Sequence, residues 1–129
     1  KDVTWHREKL GVGGTTVLSA AQTMTVGTWN HVIGTYDATD MRLYFNGSLV
    51  AGPTTQTGNG ASTTQTNGFT IGHTRQDGSS SWLSGLADEV GLWSRALTAA
   101  EVTSLYNGGA GLAYPFTATS SGKNFLMFM

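Results

Sequence analysis

A chain of 129 residues with formal net charge −1 and 12% charged residues is one domain's worth of polypeptide, enough for one modest core. Gly, Ser and Thr together exceed a third of it, which excludes helix bundles and coiled coils, and there is no basic excess to hold nucleic-acid phosphates. Cysteine is absent, so disulfides and thiolate zinc sites are excluded, and no apolar run approaches the ~20 residues that span a bilayer.

Thr, Gly, Trp and Tyr with only two prolines predict short strands and many turns, an all-β chain. Residues 1–9 are mildly basic through Lys1, Arg7 and Lys9 and are assigned no element. Gly11, Gly13 and Gly14 predict a turn, and their spacing does not fit a dinucleotide-binding fingerprint. Thr15–Ala20 reads as a strand. Trp29–Tyr36 is the next, rich in aromatic and β-branched residues. Asp37–Asp40 forms a turn, with two Asx side chains able to bond their own backbone. In Met41–Phe45 the alternation puts Met41, Leu43 and Phe45 on one face and Arg42 and Tyr44 on the other. Asn46-Gly47 predicts a type I′ hairpin turn, and Ser48–Ala51 returns, so 29–51 reads as a three-stranded antiparallel meander.

Residues 52–68 predict a long polar loop with at most a weak edge strand. Phe69–His73 reads as a short strand, and 76–81 as a turn built on Asp77-Gly78. Leu86–Trp93 alternates and reads as a strand, with Leu86, Asp88, Val90 and Leu92 on one face. One helix follows. Thr98 is its N-cap, Glu101 completes a capping box, Val102, Leu105 and Tyr106 share a face, and Asn107-Gly108-Gly109 stops it. At about two turns it is too short to stand alone in water, so it is expected to lie on a sheet. The tail ends in NFLMFM, residues 124–129, whose apolarity predicts a final strand or an interface.

Three segments carry a family resemblance: residues 29–37 (WNHVIGTYD), 41–47 (MRLYFNG) and 85–102 (GLADEVGLWSRALTAAEV). The third is the most specific. Together, over roughly residues 15–110, they resemble the laminin-G-like, pentraxin-like jelly-roll branch of the concanavalin A-like lectin/glucanase superfamily. The resemblance implies an antiparallel two-sheet β-sandwich with one short helix near 98–107. It also implies one LamG-like domain over 1–129, with the C-terminal part of a longer chain as the alternative. Family members carry several strands ahead of the segment resembling Trp29–Asp37, where this sequence has 28 residues. Another chain, another copy or a preceding segment is therefore expected to cover an apolar face left open by the missing strands.

Candidate site residues fall into three groups. Asp88 and Glu89 are neighbours in a predicted strand, so they point to opposite faces and cannot cooperate as an acid/base pair. The E-x-D-x-x-E-like strand of the glucanase relatives is missing, which argues against a hydrolase. In its plain reading Asp88 bonds a loop backbone or pairs with Arg95; the resemblance offers structural Ca²⁺ ligation with loop carbonyls instead. Asp37 and Asp40 carry the same alternatives, Asx-turn formers or a surface Ca²⁺ site. His6, His31 and His73 lack metal-ligand spacing and read as packed or rim residues. Trp29 and Trp93 are expected in the core. Trp82 follows a polar loop and is either an edge plug or a platform for a sugar ring, with Arg75, Gln76, Asp77, Asn59 and Asn67 as its polar companions on a binding rim. Asn46-Gly47-Ser48 is formally a glycosylation sequon, fully explained by the turn.

These readings lead to a non-catalytic recognition or adhesion module, extracellular or on a virion surface, binding glycan or protein ligands through rim loops. A structural subunit of a larger assembly, such as a bacteriophage virion or a secreted surface protein, is the alternative, and a glycoside hydrolase comes third. Neither nucleic-acid binding nor membrane insertion is expected.

Overall fold

The fold is described from a computed structural model, over residues 2–8, 15–55, 71, 73–74 and 81–112, with side chains over 18–55, 71 and 83–112. Among the described residues, seven strands and one α-helix follow in chain order: β1 (Asp2–Glu8), β2 (Thr15–Ala21), β3 (Val32–Tyr36), β4 (Asp40–Phe45), β5 (Ser48–Thr55), β6 (His73–Thr74), β7 (Ser81–Trp82) and α1 (Ala99–Tyr106). These strands pair antiparallel: β1 with β2, then β3-β4-β5, then β6 with β7. The chain is mostly β with one short helix, as its composition predicts.

The meander forms where expected, and its two turns explain its register. In the first, Asp37 Oδ1 accepts the Thr39 and Asp40 amides at 3.0 and 2.7 Å, and Arg42 closes the turn on Asp37 Oδ2 at 2.6 Å. In the second, Asn46 and Gly47 both take positive φ, 48° and 78°, as a two-residue hairpin turn requires. Asn46 is also a splice to β3: its Oδ1 accepts the His31 amide and its own amide donates to the His31 carbonyl, both at 2.8 Å. β5 runs four residues further than predicted, through Thr55, and slips register twice against β4. Gly52 sits in that irregular stretch with φ 91°, where a Cβ would collide with the Met41 carbonyl.

β4 contributes buried residues to both faces. Met41, Leu43 and Phe45 meet Leu18 of β2 in one cluster, with Tyr36, Val50 and Ala51 packed against it. Tyr44 joins Ile33, Leu97 and Val102 in a second cluster beneath α1. The predicted split of faces therefore holds, and the register Ile33↔Tyr44 shows why the second cluster includes β3. The helix begins as predicted. Thr98 accepts the Glu101 amide while Glu101 accepts the Thr98 amide, and Asn107 ends it in the left-handed region at φ 49°.

Several expectations are corrected. β1 forms over residues assigned no element; Val3 and Trp5 alternate with polar neighbours there, a signal outweighed by the charge count. The strand expected over Leu86–Trp93 is absent: the backbone is irregular apart from a bridge at Leu92, and Glu89 turns to φ 52°. Leu86, Asp88, Val90 and Leu92 consequently do not share a buried face. Trp29 is not in the core but 62% exposed, because β3 starts only at Val32 and the preceding chain turns at Thr25–Thr28. Trp93 is half-buried against the second cluster. Phe69 and the tail 124–129 lie outside the described residues.

Candidate functional site

The two arginines whose side chains are described are each held by carboxylates. Arg42 bridges Asp37 and Asp40, the latter at 3.2 Å, and Thr55 Oγ1 donates to the other Asp40 oxygen at 2.9 Å. The Asp40 amide, Arg42 and the Thr39 amide together pull the Asp37 carboxyl down to about 2. Arg95 grips Glu101 through two bonds, 2.8 and 2.5 Å. With the Thr98 amide added, that pair holds the Glu101 carboxyl at about 2. The suggested Asp88–Arg95 pair is thus replaced by Arg95–Glu101. Asp88 is exposed and accepts the Glu89 amide at 2.8 Å, the loop-backbone bond of its plain reading.

Asp37 and Asp40 are brought together in one turn, where Asp37 makes the Asx bonds the sequence suggests and the Asp40 carboxylate instead accepts from the Arg42 and Thr55 side chains; Asp88 stands in the irregular stretch after β7. Among the described residues no group of three or more His, Asp or Glu is placed to hold a metal ion. Trp82 lies on β7, its backbone opposite His73 of β6. Arg75, Gln76, Asp77, Asn59 and Asn67 lie outside the described residues.

What the structure does assemble is an apolar surface that sequence reasoning missed. A groove of about 370 Å³ runs between β3 and residues 91–97, lined by Val32, Ile33, Thr35, Leu92, Trp93 and Leu97 among others. Thr35 is buried there with its hydroxyl unpartnered. Trp93 folds its ring over Gly91, where a Cβ would stand 2.7 Å from Cη2. The chain leading into this wall exposes Leu83, Leu86, Val90 and Leu92, with Leu86 81% accessible, and Val32 is exposed across the groove. The signal available in the sequence is the alternation of 86–92, which sets Leu86, Val90 and Leu92 apart as one apolar set without saying whether it is covered. No described helix is long and apolar enough to cross a membrane.

An antiparallel meander stapled by an Asx turn and an Asn-Gly hairpin, followed by a capped helix laid on its β3–β4 side, defines a laminin-G-like β domain. The Laminin_G_3 family model, described as the concanavalin A-like lectin/glucanases superfamily, matches residues 2–103, and the chain belongs to that family. Among solved structures it is similar to the 2.1 Å crystal structure of an S-layer domain-containing protein (residues 221–444) from Clostridium thermocellum ATCC 27405. The identity is 27% and the TM-score 0.54, over 81% of this chain and 51% of that one. The chain thus spans about half of the structure it matches. No curated protein matches it.

Proposed function

We propose that this chain is a non-catalytic, surface-located recognition module that works by associating with protein chains, copies of itself included. The observation that carries the reading is the apolar stretch Leu83–Leu92, exposed along its length and continuous with the groove against β3. Four large aliphatic side chains in ten residues form a patch of the kind that marks interaction sites. The similarity to an S-layer domain-containing protein supports an extracellular or cell-surface setting and an assembly role. In this reading the domain is a two-sheet β-sandwich. The cluster of Leu18 with Met41, Leu43 and Phe45 is its inter-sheet layer, and association covers the remaining apolar face.

The test is size exclusion with light scattering on the chain, with and without Ca²⁺. Association is expected, and Leu86→Lys with Leu92→Lys is expected to abolish it while leaving the circular dichroism unchanged. A monomer at every concentration, or an oligomer indifferent to both lysines, overturns the reading. Dependence on Ca²⁺ would bring Asp88, Asp37 and Asp40 forward as ligands. The lectin relatives in the superfamily support a second reading, glycan contact at Trp82. Its check is a glycan screen in which Trp82→Ala loses the signal.

A further inference from the structure

His31 has a place in the fold that the proposed association does not use. Its backbone is clamped by two hydrogen bonds to Asn46, which fixes the point from which the half-buried imidazole projects beside the hairpin turn. The ring stands against Tyr106 at the end of α1, centroids 6.0 Å apart. Tyr106 also covers the turn itself: a Cβ on Gly47 would lie 2.8 Å from its Cδ1. Thr103 Oγ1 donates to the Gly47 carbonyl at 3.4 Å. The C-terminal half of α1 is therefore seated on the Asn46-Gly47 turn with His31 beneath it. His31 Nδ1 is buried there and has no hydrogen-bond partner.

We propose that His31 is an acid-released latch, whose neutral imidazole lets α1 sit on the β4–β5 turn and whose protonation loosens the C-terminal half of the helix. A neutral ring can leave one nitrogen as an unused acceptor, at modest cost. An imidazolium must donate from both nitrogens, and a buried donor with no acceptor incurs the full desolvation penalty. No anion offsets that charge among the described residues packed on it. Asn46, Gly47 and Ser48 of the turn are uncharged, α1 presents the Tyr106 phenol, and Glu101 is at the opposite end of the helix, gripped by Arg95. The negative end of the helix dipole would favour a cation. Two of its carbonyls are already engaged, Thr103 O by the Asn107 amide and Tyr106 O by the Gly111 amide. Burial accordingly pushes the His31 imidazole below its ordinary 6.5.

The sign follows. The unfolded chain takes up the proton first as pH falls through 6.5, so the contribution of His31 is complete above that value and is lost below it. Loosening α1 uncovers Val102 and Leu105 of the second cluster, adding apolar surface in mild acid.

Two measurements on the full chain test this. In an NMR titration His31 is expected to protonate below pH 6.5, with the Tyr106 ring and the α1 amides shifting at the same midpoint. A midpoint at or above 6.5, or helix signals that do not follow it, overturns the latch. In denaturation between neutral pH and about pH 5, the window in which histidine titrates, the midpoint of the native protein is expected to fall. His31→Gln is expected to remove that fall, and His6→Gln and His73→Gln to keep it. A fall of unchanged size in His31→Gln overturns the proposal, and the NMR titration decides alone if that variant does not fold.

Discussion

Strand β4 and the stretch 86–92 carry similar alternations of apolar and polar residues, yet the apolar residues of one are buried and those of the other lie open. Met41 and Leu43 are fully buried, whereas Leu86 is 81% exposed. The difference lies in what adjoins each segment. β4 has a partner on either side within a few residues, delivered by turns whose chemistry is strong: the Asp37 carboxylate with Arg42, and Asn46-Gly47 with its splice to His31. Among the described residues, 86–92 have no adjacent hairpin partner, and at Glu89 the backbone leaves the extended region. Alternation shows that a segment can present an apolar face; pairing decides whether that face is buried.

The largest expected effect tests this contrast directly. Leu43→Ala removes a side chain packed among Leu18, Met41 and Phe45 and should cost about 2–5 kcal/mol in denaturant unfolding. Leu86→Ala at low protein concentration should stay within about 0.5 kcal/mol. Equal losses would break the comparison, because they would mean that 86–92 is packed in the monomer.

Next in size is Gly47→Ala. The position needs φ 78°, and the added methyl meets the Tyr106 ring, so the variant should lose about 1–3 kcal/mol. Amide exchange should report the loss first in α1, since the turn and the helix share that contact. Uniform weakening of the meander instead would show that the turn matters only for β4–β5 pairing. Thr98→Ala comes third, at about 1 kcal/mol, with helix content reduced in circular dichroism. It acts on the capping box alone, because Arg95 still holds Glu101.

The meander, both of its turns and the helix were legible in the sequence because their determinants are local. Asx side chains, an Asn-Gly pair and a Thr98–Glu101 box act over two or three residues. The exposure of Trp29 and Leu86 was not legible, since it depends on where β3 begins and on which segments find partners. The role of Asn46 was half legible: its backbone preference predicts the turn, but the bond to the His31 amide spans fifteen residues. The same holds for Arg95, whose choice of Glu101 over Asp88 follows from the helix start lying near it. The candidate rim around Trp82 was argued from residue types alone, and its polar companions lie outside the described residues.

The smallest effect concerns the two surface ion pairs and separates them from the buried corner at His31. Asp37 and Glu101 are both depressed to about 2, from ordinary values of 3.8 and 4.5. A carboxylate held that low contributes stability that is present above its ordinary value and lost as pH falls toward about 2. Both groups are exposed, so solvent and salt screen the contribution, and at neutral pH Arg95→Gln should barely change the unfolding midpoint. Its consequence should appear in acid. Arg95 is the largest cause of the Glu101 depression, so its removal should move the Glu101 titration upward and bring the acid loss to higher pH. Arg42→Gln should do less for Asp37, where the Asp40 amide outranks the guanidinium and remains in place. Raising the salt concentration should shrink the Arg95 effect and leave the loss attributed to His31 unchanged, because that loss comes from burial rather than from an ion pair. An acid limb that responds to salt throughout would erase the distinction between surface pairs and buried corner.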